Sequence, residues 1–213
     1  MMDPIYRSEV ARKAIHFCSL SIPIVYFFIP RTTGLMLIVP VMLAFVIVDL
    51  ARYFSVPIRT WYYGTFGWML RKHETHEGTI RLNGASYVLI SATLCILIFP
   101  KLVTVISFSV LIICDLTAAL IGRRFGSHRF LGKSLEGSLA FFLSGIAVVL
   151  ATPKIRHDPL EYAIGFTAVA IGACVEALSV SVDDNLTIPL SVGLTIWAGY
   201  YLLLPGFDIY YFG

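Results

Sequence analysis

From Asp115 to Phe142 the chain reads DLTAALIGRRFGSHRFLGKSLEGSLAFF. An apolar run carrying one carboxylate gives way to a short loop with Arg123, Arg124, His128, Arg129, Lys133 and Glu136, after which apolar sequence resumes. The pattern predicts two apolar helices joined by a polar hairpin. Asp115, Ala119 and Gly122 stand at i, i+4 and i+7, so an acid and two small residues share one helical face that a ligand or metal can approach closely. Gly132-Lys133-Ser134-Leu135-Glu136-Gly137 then supplies a glycine-flanked turn, a lysine, and a hydroxyl suited to capping the next helix. Free N–H groups and the positive end of the dipole make such a helix start favourable for phosphate. The same cations also fit the excess of Lys and Arg that flanks membrane spans on the cytoplasmic side. An acid inside a span is expensive, however, and is a functional signal by default.

Outward from this stretch the composition fixes the class. Of 213 residues, 58% are hydrophobic and only 14% charged, and the mean hydropathy is +0.83, against about 25% charged residues in a soluble domain. An all-α, polytopic integral membrane protein is expected, as one membrane domain over 1–213 with short loops. The net charge of +3 reflects loop topology and gives no reason to expect a nucleic-acid partner. Cys18, Cys95, Cys114 and Cys174 lie singly in separate apolar runs, without metal-type spacing.

Crossing the hydrocarbon core takes about 20 apolar residues. Seven spans are predicted on that basis: 13–29, 34–50, 83–99, 102–121, 135–151, 160–180 and 186–204. Pro30, Pro100, Pro153 and Pro205 fall at their ends, where proline stops a helix without costing an internal bond. Lys and Arg alternate in abundance from loop to loop. Twelve fall in the N-terminal arm and in the loops before residues 83 and 135, against four on the other side: Arg31, Lys101, Lys154 and Arg156. This predicts a cytoplasmic N-terminus and places the 115–137 hairpin on the cytoplasmic side. The first apolar run is followed by Phe28-Ile29-Pro30-Arg31 and has no small-x-small cleavage pattern.

Other polar groups collect toward the same side. Glu9, Arg12, Lys13 and His16 share one face of a helix entering the membrane, either as an interfacial anchor or as a polar wall of the site. The long loop from Asp49 to Arg81 is rich in aromatics (Trp61, Tyr62, Tyr63, Phe66, Trp68) and suits the headgroup layer. His73 and His76 within it are too weak a pattern for zinc. Asn83 and Tyr87 enter the third span together, after Glu77. Glu176 is expected roughly 12 Å deeper than Asp184 along a helical rise, at a depth similar to that of Asp115. The loop at 176–190 carries Asp183, Asp184 and Asn185, hard oxygen ligands of the kind Mg²⁺ takes when shared with a nucleotide.

The runs Asp115-x-x-Ala118-Ala119-x-x-Gly122-Arg123-x-x-Gly126, Gly132-Lys133-Ser134-x-Glu136-Gly137-Ser138, and Glu176-x-x-Ser179 with Asp184-Asn185-x-x-Ile188-Pro189-Leu190 resemble the CTP-dependent lipid-alcohol kinases. These are the dolichol, phytol and farnesol kinases and the yeast-type diacylglycerol kinase. Part of the pattern is shared with CDP-diacylglycerol synthases, but that family's C-terminal proline-glycine-histidine-glycine-glycine run is replaced here by Asp183-Asp184-Asn185.

The resemblance implies a CTP-dependent phosphorylation of a membrane lipid alcohol at the cytoplasmic face, with Mg²⁺ as cofactor and the bilayer as a further partner; a homo-oligomer is compatible with the sequence, which does not fix the oligomeric state. It assigns catalysis to Asp115, Lys133, Glu136 and Asp184. CTP would be bound by Gly122, Arg123, Arg124, Gly126, Lys133, Ser134 and Asn185, and the metal by Asp115, Asp183 and Asp184. Arg12, His16, Glu77, Asn83, Tyr87 and Glu176 are the polar-face or lipid-side candidates. Glu136, Glu176, an aspartate and His16 remain alternatives for the group that takes the acceptor proton. The rival functions are a phosphatidate cytidylyltransferase, and a non-enzymatic transporter or scaffold in which Asp115 and Glu176 relay protons.

Overall fold

The computed structural model describes residues 12–70, 80–178 and 183–212. Helical residues 12–18 (α1) and Ser21–Phe28 (α2) are followed by α3 (Arg31–Phe54), α4 (Val56–Phe66), a 3-10 turn at Gly67–Met69, α5 (Gly84–Ile98) and α6 (Lys101–Phe125). A two-stranded hairpin, β1 (Arg129–Phe130) and β2 (Lys133–Ser134), leads into α7 (Leu135–Ala151), α8 (Pro159–Leu178) and α9 (Asp184–Leu203).

Helices α3, α6, α8 and α9 are long and apolar enough to cross a membrane, while α5 and α7 are shorter apolar helices. The all-α membrane architecture expected from composition is therefore present. The differences are local. The first expected span is two helices separated by a turn at residues 19–20. The second runs on to Phe54, and the aromatic stretch beyond it is not an open loop: Pro57 in the first turn starts α4. The polar link before α7 is a hairpin in which Arg129 pairs with Ser134 and Phe130 with Lys133.

Helix ends follow from sequence chemistry. Pro30 and Pro100 precede α3 and α6. Asn83, Ser134 and Asp183 cap α5, α7 and α9, their side-chain oxygens accepting from the N–H of Ser86, Gly137 and Asn185. The centre of the bundle is α6. Leu102, Val103, Val110, Leu111, Ile112 and Cys114 are fully enclosed, with α2, α5, α7 and α9 packed around them. By contrast α3 leaves Met36, Leu37, Val41, Leu43, Phe45 and Ile47 exposed. That much apolar surface is stable only against lipid or another apolar partner.

Where helices cross most closely, small residues make room. A Cβ on Gly165 of α8 would stand 2.6 Å from Val149 of α7, and one on Gly122 of α6 would stand 2.9 Å from Ser134 Oγ and 3.3 Å from the Gly137 Cα. The second crossing brings the end of α6 against the start of α7, where the polar groups collect.

Candidate active site

Asp115 sits just past the middle of α6 and is 7% exposed. Its Oδ2 is 2.5 Å from Lys13 Nζ and 3.5 Å from His16 Nε2, both on α1. The N-terminal helix therefore supplies part of the site. Lys13 is itself 5% exposed, so each charge depends on the other. Removing one partner of a buried pair costs about 3–5 kcal/mol.

A second cluster is built by the hairpin. Leu131, at its tip, takes a positive φ of 52°, a conformation rarely adopted outside glycine. The next residue, Gly132, donates its N–H to the Ala177 carbonyl at 3.0 Å, fastening the tip to the last turn of α8. This clasp carries Lys133 to Glu176: Lys133 Nζ is 2.5 Å from Glu176 Oε1 and 3.3 Å from Asp184 Oδ2. Glu176 and Asp184 are not spread along a helix axis as the sequence implied. Because α8 ends two residues after Glu176 and α9 starts at Asp184, one ammonium reaches both. Burial disfavours the charged form of Lys133, but Asp184 and Glu176 outweigh it and raise its pKa above the usual lysine value. Lys133 also feels the charge of Asp115, and its side chain is one-third exposed. It is the cation of this cluster that a ligand can reach. Glu176 Oε2 is buried and has no hydrogen-bond partner among the described residues.

The other expected residues serve in several ways. Gly122, Ser134 and Gly137 pack into one another at the crossing of α6 and α7, and Gly126 ends α6 beside Ser134. Arg123 and Arg124 lie exposed in the last turn of α6. Glu136 accepts from Ser127 Oγ at 2.7 Å and lies 2.8 Å from His128 Nδ1, so its carboxylate braces the corner between α6 and β1. Asp183 Oδ1 accepts from Asn185 N at 3.0 Å and Asn185 Nδ2 at 2.7 Å. Asn83 caps α5, and Tyr87 is half-buried in that helix. Arg12 stands on α1 one residue before Lys13. Glu77, His73, His76 and Glu9 lie outside the described residues.

Among the described residues no three His, Cys, Asp or Glu side chains converge as a metal cage. Asp115, Asp183 and Asp184 do not form one site by themselves. The donor set nevertheless suits Mg²⁺ shared with a nucleotide, since that ion takes one or two carboxylates and completes its shell with phosphate oxygens and water. Lys13 and Lys133 meet three carboxylates, Asp115, Glu176 and Asp184, while Asp183 is engaged with Asn185 at the start of α9.

One buried polar cluster was missed in the sequence reading: Asp49 and Arg52 on α3, which meet Tyr62, Asn83 and Ser86. The signal was present as an acid and an arginine at i, i+3 closing an apolar run, but they read as the beginning of a loop.

The chain is 31% identical over 202 residues to an uncharacterized protein of Rickettsia prowazekii, covering 92% of this chain and 96% of that one. It is 36% identical over 103 residues to a phytol kinase of Synechocystis, a match covering 42% of this chain and 41% of that one. A CTP-dependent diacylglycerol kinase of Schizosaccharomyces pombe is 28% identical over 218 aligned positions, with 86% of this chain and 90% of that protein covered. No family model and no solved structure matches the chain. The relatives that carry a named activity are thus lipid kinases, and the likeness to the CTP-dependent diacylglycerol kinase runs over most of the chain.

Proposed function

We propose that this protein transfers the γ-phosphoryl group of CTP to the hydroxyl of a membrane lipid alcohol, with Mg²⁺, at the cytoplasmic face of a single membrane domain crossed seven times. The observation that carries the reading is Lys133, held by two carboxylates yet one-third exposed. Phosphoryl transfer asks mainly for positioning and for charge to meet the spreading negative charge of the transferred group. Lys133 supplies that charge from a hairpin fastened to α8. The free N–H groups at the start of α7 and the exposed Arg123 and Arg124 support binding of the CTP phosphates.

Asp184, with Asp115 or Asp183, would hold Mg²⁺, which would neutralise the β- and γ-phosphates when bound. Glu176, with one buried oxygen lacking a described partner, is the carboxylate best suited to take the proton of the acceptor hydroxyl. Glu136 acts on the hairpin corner instead.

The orientation is supported by the bias of Lys and Arg among the loops, twelve against four, the four making contacts at the opposite end of the bundle. Arg31 donates to the Leu97 carbonyl, Lys154 Nζ to the Thr152 carbonyl at 2.8 Å, Lys101 lies 5.8 Å from the Tyr26 ring centre, and Arg156 lies 4.6 Å from that of Phe207.

The test is purified protein with Mg²⁺ and CTP labelled at the α- or γ-phosphate, offered dolichol, undecaprenol, phytol, farnesol, diacylglycerol and phosphatidic acid. Transfer of γ-label to one alcohol is expected, and Lys133→Ala should abolish it. Transfer of α-label to phosphatidic acid would make the chain a cytidylyltransferase.

A further inference from the structure

Asp49 stands near the end of α3 with no solvent exposure, and both of its oxygens are fully used. Oδ1 lies 3.1 Å from an Arg52 guanidinium nitrogen and accepts from Tyr62 OH at 3.1 Å. Oδ2 accepts from the Asn83 backbone N–H at 2.6 Å and from Ser86 Oγ at 3.0 Å. As a counter-ion for Arg52 alone, one oxygen would suffice. The second is directed to the start of α5, where a carboxylate also meets the positive end of the helix dipole. Asn83 additionally donates its amide to Tyr62 OH. One buried carboxylate therefore binds α3, α4 and α5 together.

The first turn of α5 lies against the first turn of α9. A Cβ on Gly84 would be 3.7 Å from Asn185 Nδ2, an ordinary van der Waals contact. Asn185 is 6% exposed and is tied to Asp183 Oδ1, while its neighbour Asp184 meets Lys133. The path from Asp49 to the proposed phosphate-binding lysine thus runs through the starts of two helices that pack against each other.

We infer that Asp49 is a positioning residue for the nucleotide side of the site: by fixing the start of α5 it sets where Asn185 and Asp184 stand relative to Lys133. The inference rests on the kinase reading above. Asp49 touches no substrate in this scheme. Its effect reaches the nucleotide through Asn83, Gly84 and Asn185.

The test compares full-length Asp49→Asn, Ser86→Ala and the charge-balanced pair Asp49→Asn/Arg52→Met with wild type. KM for CTP, KM for the lipid, kcat, and amide hydrogen exchange at residues 83–87 and 185–190 are measured. Asp49→Asn is expected to raise KM for CTP about tenfold, to leave KM for the lipid unchanged, and to speed exchange in both segments. The paired variant stays impaired, because restored charge balance does not replace the lost acceptors. Ser86→Ala keeps the Asp49–Arg52 pair and gives a smaller change in the same direction, so the idea remains testable if Asp49→Asn does not fold. Recovery of wild-type KM in the paired variant would show that Asp49 only neutralises Arg52. Faster exchange at 83–87 that never reaches 185–190 would equally overturn the inference. Absence of CTP-dependent kinase activity in wild type would remove the kinase reading, while the exchange data would still decide whether Asp49 couples α5 to α9.

Discussion

Asp115 and Lys13 carry the sharpest consequence of the geometry at the level of single residues. Each is buried and each is the other's counter-charge at 2.5 Å. Asp115→Asn and Lys13→Met are each expected to lower kcat/KM by about 10²-fold or more, and the double variant to be no worse than the poorer single, because residues in one ion pair are not additive. A double-variant cycle on purified protein measures this; independent, multiplying losses would place the two in separate roles. Lys133 gives a pH dependence. Its pKa is raised in the folded state, so its stabilising contribution is complete below the ordinary lysine value and is lost only as pH rises through the raised one. The Tm difference between wild type and Lys133→Met is therefore expected to stay constant from pH 7 to about pH 10, and a difference that fades near pH 8 would contradict the pairing. The sequence displayed Asp115, Lys133 and Asp184 plainly, since charge in an apolar setting is conspicuous. It could not display which charges meet. Lys13 was legible only as one polar residue of a helical face, because its partner lies 102 positions away.

Among elements, the crossing of α6 and α7 governs how the hairpin is presented. A Cβ on Gly137 would stand 3.1 Å from the Ala118 carbonyl oxygen, a backbone atom that cannot swing aside. Gly137→Val is expected to cost about 1–3 kcal/mol from overpacking and to lower activity by shifting the start of α7. Gly64→Ala in α4 meets nothing within 4 Å and should be neutral or slightly stabilising. Thermal unfolding in detergent compares them, and equal behaviour of the two would mean that the crossing is not tight. Most helices could be read from apolar runs and proline punctuation, and the caps from Asn83, Ser134 and Asp183. The break between α1 and α2 had a signal that was passed over: Ser19, Ser21 and Pro23 interrupt the apolar run, and Pro23 falls in the first turn of α2. The strand pairing inside the expected hairpin was not legible, because two-residue strands have no periodicity to detect.

Across the whole molecule, the bias of Lys and Arg toward one end of the bundle makes orientation measurable. With the exposed Cys18 and Cys174 replaced by serine, Ser127→Cys is expected to react with a membrane-impermeant maleimide only from the cytoplasmic side, and Asp208→Cys only from the opposite side. The reverse pattern would move the proposed site away from cellular CTP. Charge bias among loops was the only guide to orientation in the sequence, and it acts through insertion and not through contacts within the fold.

The two charge clusters also impose an order on synthesis. Lys13 and Asp115 are both present once the first six helices have been made, but Lys133 emerges 43 residues before Glu176 and 51 before Asp184. For that interval the nascent hairpin carries an ammonium whose eventual partners are still unmade. Water or lipid headgroups at the membrane surface must solvate it, so the last two helices complete the site by exchanging those temporary neighbours for carboxylates.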